Sequence, residues 1–399
     1  MKIAVLLFLL LSLQANAALL SPRTYNKLND IQQTINETSK AESLLEIELD
    51  LTELADDLKG NSLGLALAWQ THAQLKVKLE QYNKAEVLLK KAVELTELDN
   101  KTHLQLKLFL AQILLAQEKY LDITVLLETT ISNKDYQISP PVYALLAASY
   151  YYLNQYSQGL PHIIKAIELA KKPKEAWLQM AFSGYYHQKD YRQALIYSNL
   201  LVLNFPHKKD YWMQKSGMHQ LLEDYADAAI GKDLANKKGF IEKESEYINL
   251  GQLLAGQGDP YRVATLLEHA LSAKEIPQSE KALRLLQQAW MQSKEIEKGR
   301  FVLSQLFSQY KKPKEGLRLI RLLVDAQKWQ PALKIADELY KLEISDKQVG
   351  EVLLLDGICQ YRLGSSRKAL VSLSKAAAIK SSSSQAKGWM SYIKQLEGS

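Results

Sequence analysis

The sequence is short of almost everything that specialised chemistry uses. It has one cysteine, Cys359, in 399 residues, so no disulfide can form within the chain and stability has to come from packing. Cys359 lies beside Ile358 in an apolar helical pattern and is expected to be a buried, inert thiol. The seven histidines, His72, His103, His162, His187, His207, His219 and His269, are scattered. None stands three or four residues from another histidine or from the cysteine, so no zinc site can be read and no metal or other cofactor is expected. With 17 glycines and 10 prolines, no flexible linker divides the chain. A net charge of +6, with both signs mixed along the sequence, argues against nucleic acid, which asks for one strongly basic face. What remains, 47% hydrophobic and 24% charged residues, is the composition of a globular, helix-rich chain.

The chain opens MKIAVLLFLLLSLQANAALL. One cation at Lys2, an apolar run from Ile3 to Leu13 and the small-x-small triplet Ala15-Asn16-Ala17 predict a secretory signal peptide over 1–17, cut between Ala17 and Ala18. The run is well short of the roughly 20 residues that cross a bilayer, so stable membrane insertion after cleavage is not expected. No cysteine follows the cleavage point, which leaves lipid attachment there without support. No later stretch is long and apolar enough to span a membrane.

The pentapeptide KKPKE occurs at Lys171–Glu175 and again at Lys311–Glu315, 140 residues later, which is four periods of about 35. The repeat is plainest over residues 140–173. Tyr143, Leu146, Ala147 and Tyr150 take positions 4, 7, 8 and 11, and Tyr156, Gly159, Ile163 and Ala166 take 17, 20, 24 and 27. The next copy gives Leu178, Tyr185, Tyr191, Ala194, Leu201 and Pro206; the one after gives Trp212, Ser216, Tyr225, Ala228 and Ala235. Weaker copies keep the spacing from Trp69 in one direction to Ala376 in the other. Small residues at fixed places let two helices approach closely while large ones fill between them. This resembles the tetratricopeptide (TPR) pattern, and it predicts an all-α fold: an α-solenoid, a right-handed superhelix of about nine to ten TPR-like helix-turn-helix repeats. A helix bundle would account for the apolar stripe but not for the recurring small positions.

The boundaries that follow are the signal peptide at 1–17, an irregular helical cap at 18–62 built on a degenerate repeat, the solenoid proper at 63–382, and a capping helix with tail at 383–399. The wide spacing after the cap predicts a longer connection through Lys59-Gly60-Asn61-Ser62, and the serine run 381–384 is expected to be a loop before a last helix over Gln385–Leu396. The KKPKE copies fall at the end of a repeat, where proline would stop one helix and start the next. Gly256-Gln257-Gly258-Asp259 looks like a glycine-rich loop but falls at a turn within a repeat, where glycine closes a helix.

No nucleophile elbow, P-loop or dinucleotide fingerprint is present, and the acidic pairs Asp56/Asp57 and Glu242/Glu244 read as surface charge, so a non-enzyme is expected. Positions 2, 5, 9, 12 and 13 of a TPR-like repeat point into the concave groove. There the best copies hold Tyr151, Tyr152, Gln179, Ser183, Tyr186, His187, Met213 and Gln220. Tyrosine and methionine offer broad contact with a polar handle; the competing expectation is that tyrosine at 12 or 13 packs on the adjoining repeat. Basic carboxylate-clamp residues do not recur in the groove, so capture of a C-terminal carboxylate is not expected.

Three phrases are more particular than the repeat: KEAWLQMAFSGYYHQKDYRQAL, PHKKDYWMQKSGMHQLLEDY and KESEYINLGQLLAGQGDPYRVATLLEHAL. Their succession resembles the periplasmic TPR proteins encoded with TonB, ExbB and ExbD components. The resemblance implies a periplasmic scaffold, an accessory to the energising of outer-membrane transport such as iron uptake, with TonB/ExbB/ExbD-type partners. It supplies no catalytic or ligand residues. The alternative is a periplasmic envelope-assembly or outer-membrane biogenesis factor binding peptidoglycan or nascent envelope proteins.

Overall fold

The computed structural model describes residues 20–38 and 41–397; the expected signal peptide and its Ala17/Ala18 junction lie outside them. The described residues are α-helical and carry no strand. They divide into two compact units, one ending at Pro206 and one beginning at His207. In the first, helices pair as α1 (Pro22–Glu37) with α2 (Ala41–Asp57), α3 (Ser62–Lys78) with α4 (Tyr82–Val93), α5 (Asn100–Ala116) with α6 (Tyr120–Ile131), α7 (Pro140–Tyr152) with α8 (Tyr156–Leu169), and α9 (Glu175–His187) with α10 (Tyr191–Asn204). The second holds α11 (Lys209–Leu221) with α12 (Tyr225–Lys237), α13 (Glu244–Gly256) with α14 (Pro260–Ser272), α15 (Glu280–Gln292) with α16 (Ile296–Tyr310), α17 (Pro313–Asp325) with α18 (Trp329–Leu339), α19 (Asp346–Arg362) with α20 (Ser366–Ala377), and a lone α21 (Ser383–Glu397). This is the all-α helical-repeat architecture that the spacing predicts.

From α3 onward the turn inside each pair is the same piece of stereochemistry. Glu80, Glu118, Asn154, Lys189, Glu223, Gly258, Lys294, Gln327 and Gly364 all adopt positive φ, and they recur every 33 to 38 residues. After each one the next backbone N–H reaches back to a carbonyl near the end of the first helix, as from Gln155 to Tyr150 at 2.8 Å and from Asp259 to Leu254 at 3.2 Å. This left-handed C-terminal cap reverses the chain in three residues. Only Gly258 and Gly364 meet it with glycine; seven side chains accept a conformation that costs an L-residue about 1 kcal/mol or more. At Gly258 the structure places the glycine-rich stretch in that turn, as expected.

Packing then follows from three places on each second helix. Ala85, Leu89 and Ala92 on α4, Ile123, Leu127 and Thr130 on α6, and Ala369, Leu373 and Ala376 on α20 are all fully buried. Spacings of four and three put them on one stripe, and that stripe lies against the first helix of the pair. Close approach has a visible limit at Gly159, where an added Cβ would stand 2.7 Å from the Tyr151 ring and 2.9 Å from the Ala147 carbonyl oxygen.

Three local expectations need correction. No longer connection runs through residues 59–62, because α2 continues to Asp57 and α3 starts at Ser62 with Asn61 as its N-cap. The extra residues are spent in two long helices. The last helix begins at Ser383, two residues before Gln385, with Ser382 buried and its hydroxyl donating to the Ala376 carbonyl at 2.7 Å. The KKPKE copies share a slot but not a geometry: Pro313 is the first residue of α17, whereas Pro173 precedes Lys174, the N-cap of α9.

Candidate protein-binding faces

In the first unit the expected groove residues gather near the ends of α7 and α9. Gln179 and Ser183 are half-buried on α9, one turn apart, and lead to Tyr186 and His187. Tyr152 remains 55% exposed and Tyr186 44%. A regular pattern governs the neighbouring rings. Tyr120, first residue of α6, stacks on Tyr152 with centroids 4.4 Å apart; Tyr156, first residue of α8, stacks on His187 at 3.9 Å. An aromatic opening a second helix therefore covers position 13 of the repeat that follows. Tyr186 continues the cluster against Tyr191 at 5.9 Å.

Tyr151 has a different environment. Its ring meets Tyr156 edge-on at 5.0 Å, and its hydroxyl donates to the Met180 carbonyl oxygen at 2.9 Å. Burial pushes its hydroxyl pKa well above the usual tyrosine range. It ties α7 to α9, while Tyr152 and Tyr186 present open ring area. Beside it, Tyr150 donates to Glu128 at 2.7 Å and is pushed up to about 12, first by burial and then by that carboxylate.

Met213 and Gln220 belong to the second unit, where both are half-buried on α11. The Gln220 amide donates to the Ser216 carbonyl and accepts from Asn249 on α13, both at 3.4 Å. Of the eight expected residues, six share α7 and α9 of the first unit, and two lie on α11 of the second.

Sequence reasoning missed a pocket of about 640 Å³ between α19 and α21. Leu354, Ile358 and Arg362 line one wall, and Gly388, Trp389 and Tyr392 the other. The Arg362 guanidinium lies 5.9 Å from the ring centroids of both Trp329 and Trp389. Trp329 opens α18, so the covering of position 13 by an opening aromatic recurs here with a cation in place of a ring. The signal was present in the sequence: carried into the last repeat, the groove register falls on Leu354, Ile358 and Arg362. The opposite wall comes from a helix outside that register.

Two other places invite chemistry. A cavity of about 730 Å³ among α12, α13 and α14 contains Asp233, which receives Arg262 at 2.9 Å and Lys237 at 3.0 Å, and Tyr247, which donates to Glu275 at 2.6 Å. These groups satisfy one another. His219, Asp224 and Asp227 bring three possible metal-ligand atoms within 4.8 Å, a grouping the histidine spacing did not reveal. Asp224 already accepts from the Asp227 backbone N–H as the cap of α12, and its other oxygen lies 3.1 Å from His219 Nδ1. That arrangement accounts for the trio as turn structure.

No family model and no curated protein matches the sequence. Solved structures similar to it include a tetratricopeptide repeat protein from Parabacteroides merdae, with 12% identity over 64% of this chain and 98% of that one and a TM-score of 0.33. YrrB, a TPR protein with an unusual peptide-binding site, gives 16% identity over 46% and 89% with a TM-score of 0.37. The TPR2AB domain of yeast Sti1 in its HSP90 complex gives 12% over 64% and 96% with a TM-score of 0.35. At those scores the overlays carry no argument, and the fold assignment rests on the repeated turns and buried stripes above.

Proposed function

We propose that this chain is an exported, non-catalytic scaffold that binds protein partners through its odd-numbered helices, as an accessory of a TonB-type complex that energises outer-membrane transport. The observation that carries the binding role is the open aromatic area at Tyr152 and Tyr186, held in place by stacked neighbours rather than by burial. Rings fixed in this way give contact area at small entropic cost on binding. The finer assignment draws on the N-terminal leader pattern, which implies the periplasm, and on the three particular phrases of the central repeats.

The test is crosslinking and co-purification of the mature chain with TonB, ExbB and ExbD homologues from the same source. Recovery of one of them supports the accessory role. Recovery of peptidoglycan or barrel-assembly proteins alone would move the reading to envelope assembly. Tyr152→Ala and Tyr186→Ala should each weaken capture while leaving helicity unchanged; unchanged affinity in both would remove the first unit's face from the binding site.

A further inference from the structure

We propose that the pocket between α19 and α21 is a docking site for an internal acidic–apolar segment of a protein partner. An apolar side chain of that segment enters beside Gly388, and an adjacent Asp or Glu side chain meets Arg362. This rests on the protein-binding reading above and gives one of its sites a ligand chemistry.

The argument begins with Arg362. Its guanidinium is exposed and sits within cation–π reach of two indole rings, 5.9 Å from each centroid, and its N–H donors remain available to a planar acceptor. Trp389 is itself braced by Tyr392 at 5.8 Å and Tyr361 at 6.2 Å, so one of the two indoles beside the guanidinium is held in place. Among the described residues no carboxylate pairs with it. Two acids of its own helix are engaged elsewhere: Glu351 by Arg321, and Asp356 by the Ser372 hydroxyl at 2.8 Å. A positioned arginine without a carboxylate is the half of a bidentate pair that a ligand can complete.

The second observation is the cavity beside it. Leu354 and Ile358 make an apolar wall one and two turns before Arg362 on the same helix face. Across from them Gly388 stands inside α21, where a Cβ would touch nothing within 4 Å. An interior glycine costs a helix about 1 kcal/mol relative to alanine, and here no close packing requires it. Its effect is to leave room. The pocket's volume of about 640 Å³ accommodates one large apolar side chain with its flanking backbone. An apolar slot bordered by an unpaired guanidinium selects an apolar residue next to an acid, and charge complementarity disfavours a basic segment.

The experiment uses the mature chain and fluorescein-labelled octapeptides, acetylated and amidated at their ends, that place Phe or Leu beside Asp or Glu. Matched peptides carry Lys in place of the acid or a free C-terminal carboxylate. By fluorescence anisotropy the amidated acidic–apolar peptides should bind and the lysine peptides should not. Arg362→Gln should weaken binding by about tenfold or more, as loss of an arginine anchor does, and Gly388→Leu should block it while raising helicity. Binding that needs the free terminal carboxylate, that survives Gly388→Leu, or that is displaced by self-association of the chain in sedimentation would overturn the proposal. If no peptide binds but the crosslinked partner is still recovered, this site falls and the scaffold reading stands. If neither binds, both fall.

Discussion

Gly184→Ala should destabilise the first unit, although substitution of alanine for glycine inside a helix normally does the reverse. Gly184 lies within α9, where a Cβ would fall on the Tyr151 hydroxyl and stand 2.8 Å from Leu160 Cδ1. The Tyr151 ring has little room to retreat, because it lies close over Gly159, where an added Cβ would stand 2.7 Å from it, and meets Tyr156 edge-on at 5.0 Å. The alanine therefore expels the hydroxyl from the Met180 carbonyl, a hydrogen bond worth about 1 kcal/mol, and overpacks a tight contact at about 1–3 kcal/mol. Helix propensity returns about 1 kcal/mol. The net is a loss of about 1–3 kcal/mol. Gly217→Ala is the control: it is also interior to a helix, nothing lies within 4 Å of its would-be Cβ, and it should gain the propensity term alone. Urea titration followed by circular dichroism, with hydrogen exchange on peptides from α9 and α11 to assign each effect to its unit, separates the two. Tyr151→Phe combined with Gly184→Ala should recover part of the loss, since the atom in the way is the hydroxyl. If Gly184→Ala stabilises the chain as Gly217→Ala does, Tyr151 is not wedged between α7, α8 and α9, and its assignment as a structural tie is wrong.

Other perturbations follow from the same contacts. Lys189→Gly, at a left-handed turn with φ 61°, should stabilise by about 1 kcal/mol in thermal unfolding, and Gly258→Ala, at φ 76°, should lose about as much. Burial pushes the Glu86 carboxyl up, but hydrogen bonds from Lys119, Lys90 and Gln117 outweigh it and hold the pKa at about 2. A depressed folded pKa contributes stability that is complete above the unfolded value of 4.5 and is lost as pH falls toward about 2. With both lysines part-exposed, that contribution is about 1–2 kcal/mol, and in Glu86→Gln the stability change across this window should shrink by that amount. Burial, and then Asp356, push the Cys359 thiol up to about 12, so a thiol-labelling reagent at pH 8 should leave the folded chain unmodified and react in urea.

How much of this the sequence could reveal depends on whether a property belongs to one residue or to a pair. The repeat was legible because each position is defined by its own helix: a residue of the right size every 33 to 38 places buries the same stripe wherever it occurs. The turns were legible only in part, since glycine marks two of the nine left-handed caps that lie inside a helix pair and the other seven use residues chosen by no visible rule. Side-chain fate was the least legible. Tyr151 and Tyr186 occupy the same register position, yet one is a tie between helices and the other an exposed ring. Gly159 and Gly184 admit the Tyr151 ring and hydroxyl where a Cβ would clash. The register positions that match them one repeat later hold Ala194 and Met218, so Tyr186 has no such pair of glycines to receive it and stays 44% exposed. The same reasoning applies to Arg362, whose sequence neighbours say nothing of the two indoles that lie beside it, one from the helix before and one from the terminal helix after. A groove residue is thus identified less by its own letter than by the size of the residue that would otherwise receive it.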